Sequence, residues 1–228
     1  ELAFDLKEMG IDILTTGNNH SLDTGYAGLT RTLDVLDGYG ISHTGTARSL
    51  EEQNTLLIKD LNGIKTAFLN YTYGTNGIPL PSGKEFCVNL IDKDLIQKQI
   101  KKAKNENVDM IVACMHWGTE YRTTANSEQK ELADVLFKNG ADQRDEITRD
   151  SAILNLTITK NSDDKISIDK VDYIPIYMYK NKNVSTKKFK ILDIEKTISK
   201  YESGEDTSIG ISVYNNLKVQ LQKIKNIL

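Results

Sequence analysis

The chain of 228 residues carries 29 Lys and Arg against 32 Asp and Glu, a net charge of −3, with 39% apolar residues. That is enough apolar material for one large domain, or for a core with a small appendage. The near-neutral balance lacks the broad basic surface on which nucleic-acid binding rests, so no nucleic-acid partner is expected.

Cys87 and Cys114 are the two cysteines, too few for a disulfide framework or a thiolate zinc site. No run of about 18 apolar residues offers a membrane span. The chain opens on Glu1-Leu2-Ala3-Phe4, already in helical rhythm. We expect an N-terminal portion, with any signal or anchor, to lie outside this sequence.

In chain order, Leu2, Phe4, Leu6 and Met9 predict a short amphipathic helix that stops at Gly10. Ile11 to Thr16 reads as a buried strand running into the polar loop Gly17-Asn18-Asn19-His20. A helix opening at Thr24 runs through Leu29, Leu33 and Leu36 to Gly38 and Gly40, and Ile41 begins another strand. This βαβ rhythm argues for an α/β sheet. Leu56 to Lys59 and Lys65 to Tyr71 flank Asn62-Gly63, a hairpin signal. Leu95 to Ala103 reads as a basic amphipathic helix with a solvated face.

Val108 to Met115 is the most apolar strand pattern and ends at His116-Trp117-Gly118. Ser127 to Asn139 predicts a helix with Ser127 as N-cap and Gly140 beyond its end. The rhythm then breaks, because Asp142 is followed by Gln143-Arg144-Asp145-Glu146 where a buried strand is due. Strands are predicted at Ala152 to Thr159 and Lys165 to Tyr173, with a turn at Asn161 to Asp164. Ile174 to Tyr179 reads as a separate edge strand that tolerates Pro175. Lys180 to Lys190 is basic and expected to be exposed, and helices at Ile194 to Tyr201 and Val213 to Leu228 close the chain.

Two polar loops follow predicted strands, where open α/β sheets bind their ligands. In the first, an Asn carboxamide can ligate a metal and the adjacent His20 can protonate a leaving oxygen. The same triplet also reads as a plain turn capping the next helix. In the second, His116 is either a metal ligand or a satisfied structural histidine, and Glu120 and Tyr121 stand next to it as a second acceptor or a substrate contact. Asp23 either orients the His20 imidazole or, the favoured reading, caps the helix. His43 reads as structural or surface, and Asp12 as lying on the opposite edge of the sheet. Tyr71, Tyr73 and Trp117 either form a stacking wall or are ordinary strand aromatics.

The run Gly10-Ile11-Asp12, Gly17-Asn18-Asn19-His20-Ser21-Leu22-Asp23, Gly28-Leu29, Gly40-Ile41 and Gly45 resembles the poly-γ-glutamate capsule synthesis protein family CapA. So do His116-Trp117-Gly118-Thr119-Glu120-Tyr121, Gln129, Leu132-Ala133, Asn139-Gly140-Ala141-Asp142 and the tail Tyr201-Glu202-Ser203-Gly204. The resemblance implies an α/β fold: a layered α/β/β/α metallophosphoesterase-like sandwich, here incomplete, with C-terminal helices. It implies a core over residues 1–180 and a helical extension over 181–228. It matches Asn19 and His116 to metal-ligating positions and His20 to a general acid. Glu120 and Tyr121 belong to the family motif without a role assigned by it, and together with Trp117 they are the expected substrate contacts.

It further implies divalent metal ions (Mn, Zn or Fe) and an anionic polymer, poly-γ-glutamate or a wall polymer, as partner. Other capsule-synthesis membrane proteins and an extracytoplasmic, membrane-anchored location come with it. The expected function is capsule polymer synthesis with a hydrolytic cleft. The alternative is a non-catalytic polymer-binding or assembly subunit. The sequence departs from the family in lacking an early Gly-Asp element, a G-H-x-P-H loop and a Ser-Leu-Gly-Asn-Phe strand. Either a segment holding that loop belongs between Asp142 and Gln143, or the junction is a true deletion.

Overall fold

The structure is a computed structural model, and it describes residues 2–120, 122, 124–141, 152–180 and 189–225. The chain forms two compact units, residues 1–143 and 144–228.

In the first unit α1 (Leu2–Glu8) leads into β1 (Ile13–Thr15), and α2 (Gly25–Gly38) carries the chain to β2 (Ser42–Thr44), which pairs parallel to β1. The predicted βαβ unit is therefore present. Leu29, Leu33 and Leu36 line one face of α2 and are buried. Leu36 joins Ala3 and Ile41 in a cluster against which Leu14 packs half-buried. Asp12, just before β1, pairs with Lys7 at 2.8 Å, away from the strand's carboxyl end.

A short helix not foreseen in the sequence, α3 (Leu50–Asn54), is capped by Ser49, whose side chain accepts from the Glu52 N–H. The expected hairpin follows as β3 (Leu57–Leu61) and β4 (Ile64–Thr72). Asn62 and Gly63 both take positive φ (55° and 87°), as a two-residue turn between twisted strands demands. Then come α4 (Lys93–Asn105), β5 (Met110–His116) and α5 (Ser127–Asn139), with β5 parallel to β4.

Strand β4 is buried on both faces. Ala67, Leu69 and Tyr71 face a core built with Ile96, Ile100, Ile111 and Leu132, while Thr66, Asn70 and Thr72 fill the opposite face at 2% exposure or less. Among the strand residues, Leu69 and Ile111 are buried, and Leu14 and Val112 are half-buried. Each fully buried Leu or Ile stabilises the fold by about 1.5–3 kcal/mol. The basic helix α4 sinks Ile96, Gln99, Ile100 and Ala103 and leaves its lysines to solvent.

The N-cap of α5 is Asn126 rather than Ser127. Asn126 accepts from the Gln129 N–H, and Gln129 Oε1 accepts in return from the Asn126 N–H, a capping box that Ser127 could not form with Lys130.

The second unit holds β6 (Ala152–Lys160), β7 (Ile166–Lys180) and β8 (Phe189–Asp193) in one antiparallel sheet of order β6-β7-β8. The segment read as a separate edge strand is the second half of β7, which is the central strand. Its first half pairs with β6 up to Pro175, and from Ile176 it pairs with β8. Pro175, which has no N–H to give, sits where one partner hands over to the other. Helices α6 (Ile194–Glu202) and α7 (Gly210–Lys225) close the unit around Leu192, Ile194, Ile198, Ile209 and Leu217. The division at 143/144 falls earlier than the expected 180/181, since β7 is tied on one side to β6 and on the other to β8.

Among the described residues no helix is long and apolar enough to cross a membrane. The Asp142–Gln143 junction, residues 181–188 of the basic stretch and Tyr121 lie outside the described residues.

Candidate functional site

The loop after β1 is seated by a side chain from β4. Asn70, 2% exposed, accepts the Gly17 N–H on Oδ1 at 2.7 Å and donates from Nδ2 to the carbonyls of Cys114 (3.0 Å) and Gly17 (3.3 Å). The close approach needs glycine at two points. A Cβ on Gly17 would stand 2.7 Å from Asn70 Oδ1, and one on Gly45, where φ is +107°, would stand 1.8 Å from the same atom.

Beyond Gly17 the loop folds on itself. Asn18 Oδ1 accepts from the His20 N–H at 2.8 Å. The Ser21 hydroxyl, placed between the Thr16 and Asn18 carbonyls, accepts from the Asn18 N–H at 2.9 Å. Asn19 and His20 are thereby presented outward at the carboxyl end of β1.

His116 arrives from the carboxyl end of β5. Its Nε2–H donates to Asn19 Oδ1 at 2.9 Å across 97 residues of sequence. Asn19 Nδ2 donates to Asn76 Oδ1 at 2.9 Å, and Asn76 Nδ2 lies 3.3 Å from His20 Nδ1. His20 Nδ1 also faces Asp23 Oδ2 at 2.7 Å. One nitrogen cannot donate to a carboxylate and accept from an amide at once, and the shorter, charge-assisted contact decides. Nδ1–H therefore donates to Asp23, and Nε2 is the working nitrogen of His20. Partial desolvation first, and then the nearby His20, holds the His116 imidazole below the usual histidine range.

Asn19, His20 and His116 thus come together, as their strand-end positions implied. Asp23 orients His20 and does not cap α2. The N-cap is Thr24, without a side-chain cap bond, so Asp23 sits one residue too early to cap and reaches back three residues instead. The stacking wall is not there as a set. Tyr71 is fully buried with its hydroxyl donating to Gln99 at 2.6 Å, and Trp117 is half-buried against the main core. Tyr73, 55% exposed, stacks on His116 with ring centroids 5.9 Å apart. Glu120 is exposed in the following loop. His43 Nε2–H donates to Asp37 Oδ1 at 3.1 Å with a side chain only 9% exposed, a structural placement. Cys87 is buried and Cys114 half-buried, and burial raises both thiols above the usual range.

Asn70 and Asn76 were missed in the sequence. A polar residue inside Phe68-Leu69-Asn70-Tyr71 was the available signal for the first.

The donor set bears on a metal. Among the described residues no group of three or more His, Cys, Asp and Glu side chains could hold an ion. Asn19 and His116 supply two neutral donors, where divalent ions in proteins take four or more, usually with anionic charge among them. The described residues do not by themselves fit a metal centre.

Comparison with known proteins gives the fold and the family. A 5'-nucleotidase-like protein from Staphylococcus aureus, crystallised with alpha-ketoglutarate, superposes with a TM-score of 0.56 at 16% identity, over 82% of this chain and 42% of that one. The NAD nucleotidase of Haemophilus influenzae superposes with a TM-score of 0.50 at 14% identity, over 98% and 52%. These likenesses show a metallophosphoesterase-like α/β fold. In sequence, the capsule biosynthesis protein CapA of Bacillus anthracis is 27% identical over 140 residues, 60% of this chain and 34% of its own length. The PGA biosynthesis protein CapA of Bacillus subtilis is 29% identical over 145 residues, 60% and 36%. The chain therefore spans about a third of the length of these relatives. Residues 1–143, which hold every member of the cluster just described, match the model of the bacterial capsule synthesis protein PGA_cap, and the chain belongs to that family.

Proposed function

We propose that the first unit acts on an anionic capsule polymer, poly-γ-glutamate, and that His20 is the proton donor of a hydrolytic site at the carboxyl ends of β1 and β5. The observation that carries this reading is the 2.7 Å contact between His20 Nδ1 and Asp23 Oδ2. It holds the ring by one nitrogen and leaves the other, on a half-exposed imidazole, to meet a substrate. In amide hydrolysis water adds to the carbonyl carbon and the C–N bond breaks. His20 Nε2–H would give its proton to the departing amine, and Nε2 would then recover the proton shed by the water that added to the carbonyl. Glu120 and Trp117, together with Tyr121, are placed by this reading along the polymer's path.

A divalent ion (Mn, Zn or Fe) at this point needs donors beyond the described residues in addition to Asn19 and His116. The row of imidazole and carboxamide groups from His116 through Asn19 and Asn76 to His20 favours a second reading, in which the same surface binds polymer carboxylates without cutting the chain.

A protein that handles a capsule polymer meets it on the extracytoplasmic face of the membrane. The reading therefore includes an N-terminal anchor outside these 228 residues and capsule-synthesis membrane proteins as partners. Recovery of the full-length product wholly in the cytosolic fraction would refute that part.

The test is incubation of the chain with poly-γ-glutamate, in chelator or with each of the three ions, followed by polymer length and retention. Shortening supports hydrolysis, and retention without shortening supports the binding reading. Neither shortening nor retention under any condition sinks both.

A further inference from the structure

Asn76 has no part in any motif read from the sequence, yet it touches both residues of the Asn19-His20 pair. It lies four residues beyond the end of β4, in a loop fastened by the Thr75 hydroxyl donating to the Ile78 carbonyl at 2.6 Å and the Ile78 N–H donating to the Thr75 carbonyl at 2.9 Å. Thr75 is buried at 7% exposure, so the loop is anchored beneath Asn76. Asn76 itself adopts φ +53°, a left-handed conformation that among residues with a side chain favours Asn. The backbone therefore restricts the position to a few residue types. Glycine would suit it at least as well, but it has no carboxamide to offer.

A carboxamide can turn over by 180° about its last torsion, exchanging an acceptor for a donor at nearly the same point in space. Asn19 must present oxygen, not nitrogen, toward His116 Nε2 if it is to accept a hydrogen bond there. What selects that orientation is the far side of the amide, where Nδ2–H needs an acceptor. Asn76 Oδ1 is that acceptor, at 2.9 Å. With the amide reversed, Asn19 Oδ1 would face Asn76 Oδ1, and Nδ2–H would face the Nε2–H of His116, leaving two mismatched contacts. Asn76 Nδ2 lies 3.3 Å from His20 Nδ1, the nitrogen whose proton goes to Asp23, and so makes no hydrogen bond to that ring.

We propose that Asn76 is a positioning residue that fixes the Asn19 carboxamide with its oxygen toward His116, and so sets the face this site shows to its substrate. The functional half of this statement rests on the reading of the site given above. The structural half does not. The loop after β4 thereby becomes a third wall of the site, beside the loops after β1 and β5.

The experiment compares the 228-residue chain with N76G and N76D. Glycine keeps the left-handed backbone and removes the carboxamide. Aspartate keeps an acceptor oxygen for the Asn19 Nδ2–H. The readout is the side-chain amide pair of Asn19 in a 15N-labelled protein, identified as the pair absent from N19D, with thermal midpoints showing that each variant is folded. We expect the Asn19 amide protons to be slowed in solvent exchange in wild type and in N76D, and to lose that protection in N76G. Polymer retention is expected to weaken by about 3- to 10-fold in N76G, the loss of one hydrogen bond's worth of order, and to recover in part in N76D. Protection of the Asn19 amide unchanged in N76G, or lost equally in N76D, overturns the proposal. A wild-type chain that neither retains nor cuts the polymer, while the Asn19 signals behave as expected, refutes the functional reading and leaves the role of Asn76 standing.

Discussion

His116 and Asn19, 97 residues apart in sequence, meet through a 2.9 Å hydrogen bond from Nε2–H to Oδ1. The contact joins the carboxyl ends of two strands that belong to different sheets, and its geometry depends on how the β1 loop is seated on β4.

That seat is Asn70, and the first prediction concerns it. Asn70→Ala removes the acceptor of the Gly17 N–H and the donor to the Gly17 and Cys114 carbonyls, all at a site with 2% exposure. A buried group left without its partner costs about 1–3 kcal/mol. We expect a loss of stability in or slightly above that range by urea unfolding, together with broadened His20 and His116 ring signals. A variant as stable as wild type would show that Asn70 does not seat the loop.

Gly45→Ala and Gly10→Ala separate crowding from backbone strain. Both glycines have positive φ, +107° and +85°. At Gly10 a Cβ meets nothing within 4 Å, whereas at Gly45 it would stand 1.8 Å from Asn70 Oδ1 and 2.6 Å from the Gly17 nitrogen. Gly10→Ala is expected to cost about 1–2 kcal/mol, the strain alone. Gly45→Ala should cost clearly more and disturb the β1 loop. Equal costs would mean that the contact at Gly45 is not close.

Much of this arrangement was legible in the sequence, and the reasons for the exceptions are physical. His20 and His116 could be brought to one place because each follows the carboxyl end of a strand, although β1 and β5 lie in different sheets and it is the Asn70 seat that holds the two ends together. Asn70 shows in the sequence only as a polar residue in an apolar strand, and Asn76 not at all, because what they do is satisfy groups from β1 and its loop, and a single chain read in order shows no such pairing. Asp before a helix usually caps, which is what favours that reading of Asp23 in the sequence. Thr24 occupies that position, and Asp23 is left free for His20. The extra strand β8 escaped notice because its five residues, Phe189–Asp193, follow a run of lysines and polar residues.

Tyr71 predicts a pH dependence. Burial raises its phenol above the usual tyrosine range, and its hydroxyl donates to Gln99. The folded state therefore keeps a proton that the unfolded state begins to lose near pH 10. The stability it contributes is complete below about pH 10 and falls as pH rises toward the folded value, by about 1.4 kcal/mol per pH unit for one group. Tyr71→Phe should be less stable than wild type by about 1–2 kcal/mol at pH 7, with a shallower decline between pH 10 and 11. Parallel declines in the two proteins would contradict this.

Asp23→Asn leaves an acceptor for His20 but removes the charge that steadies it. If His20 gives the proton, the rate of polymer cleavage should fall by about 10- to 100-fold, as when the partner that orients a working histidine is lost. Asp23→Ala should fall further, with little change in the thermal midpoint, since both side chains are at least half exposed. Unchanged cleavage in both variants would remove Asp23 from the mechanism.

The account turns on whether His20 works on the polymer. The direct measurement is the rate at which new amine ends appear when poly-γ-glutamate is incubated with the chain, with wild type and His20→Ala run side by side. The account predicts steady release by wild type and a fall of about 100-fold or more in His20→Ala, the contribution of a general acid, with retention of the polymer largely kept. Equal rates in the two proteins, or no new amine ends from wild type, would contradict it.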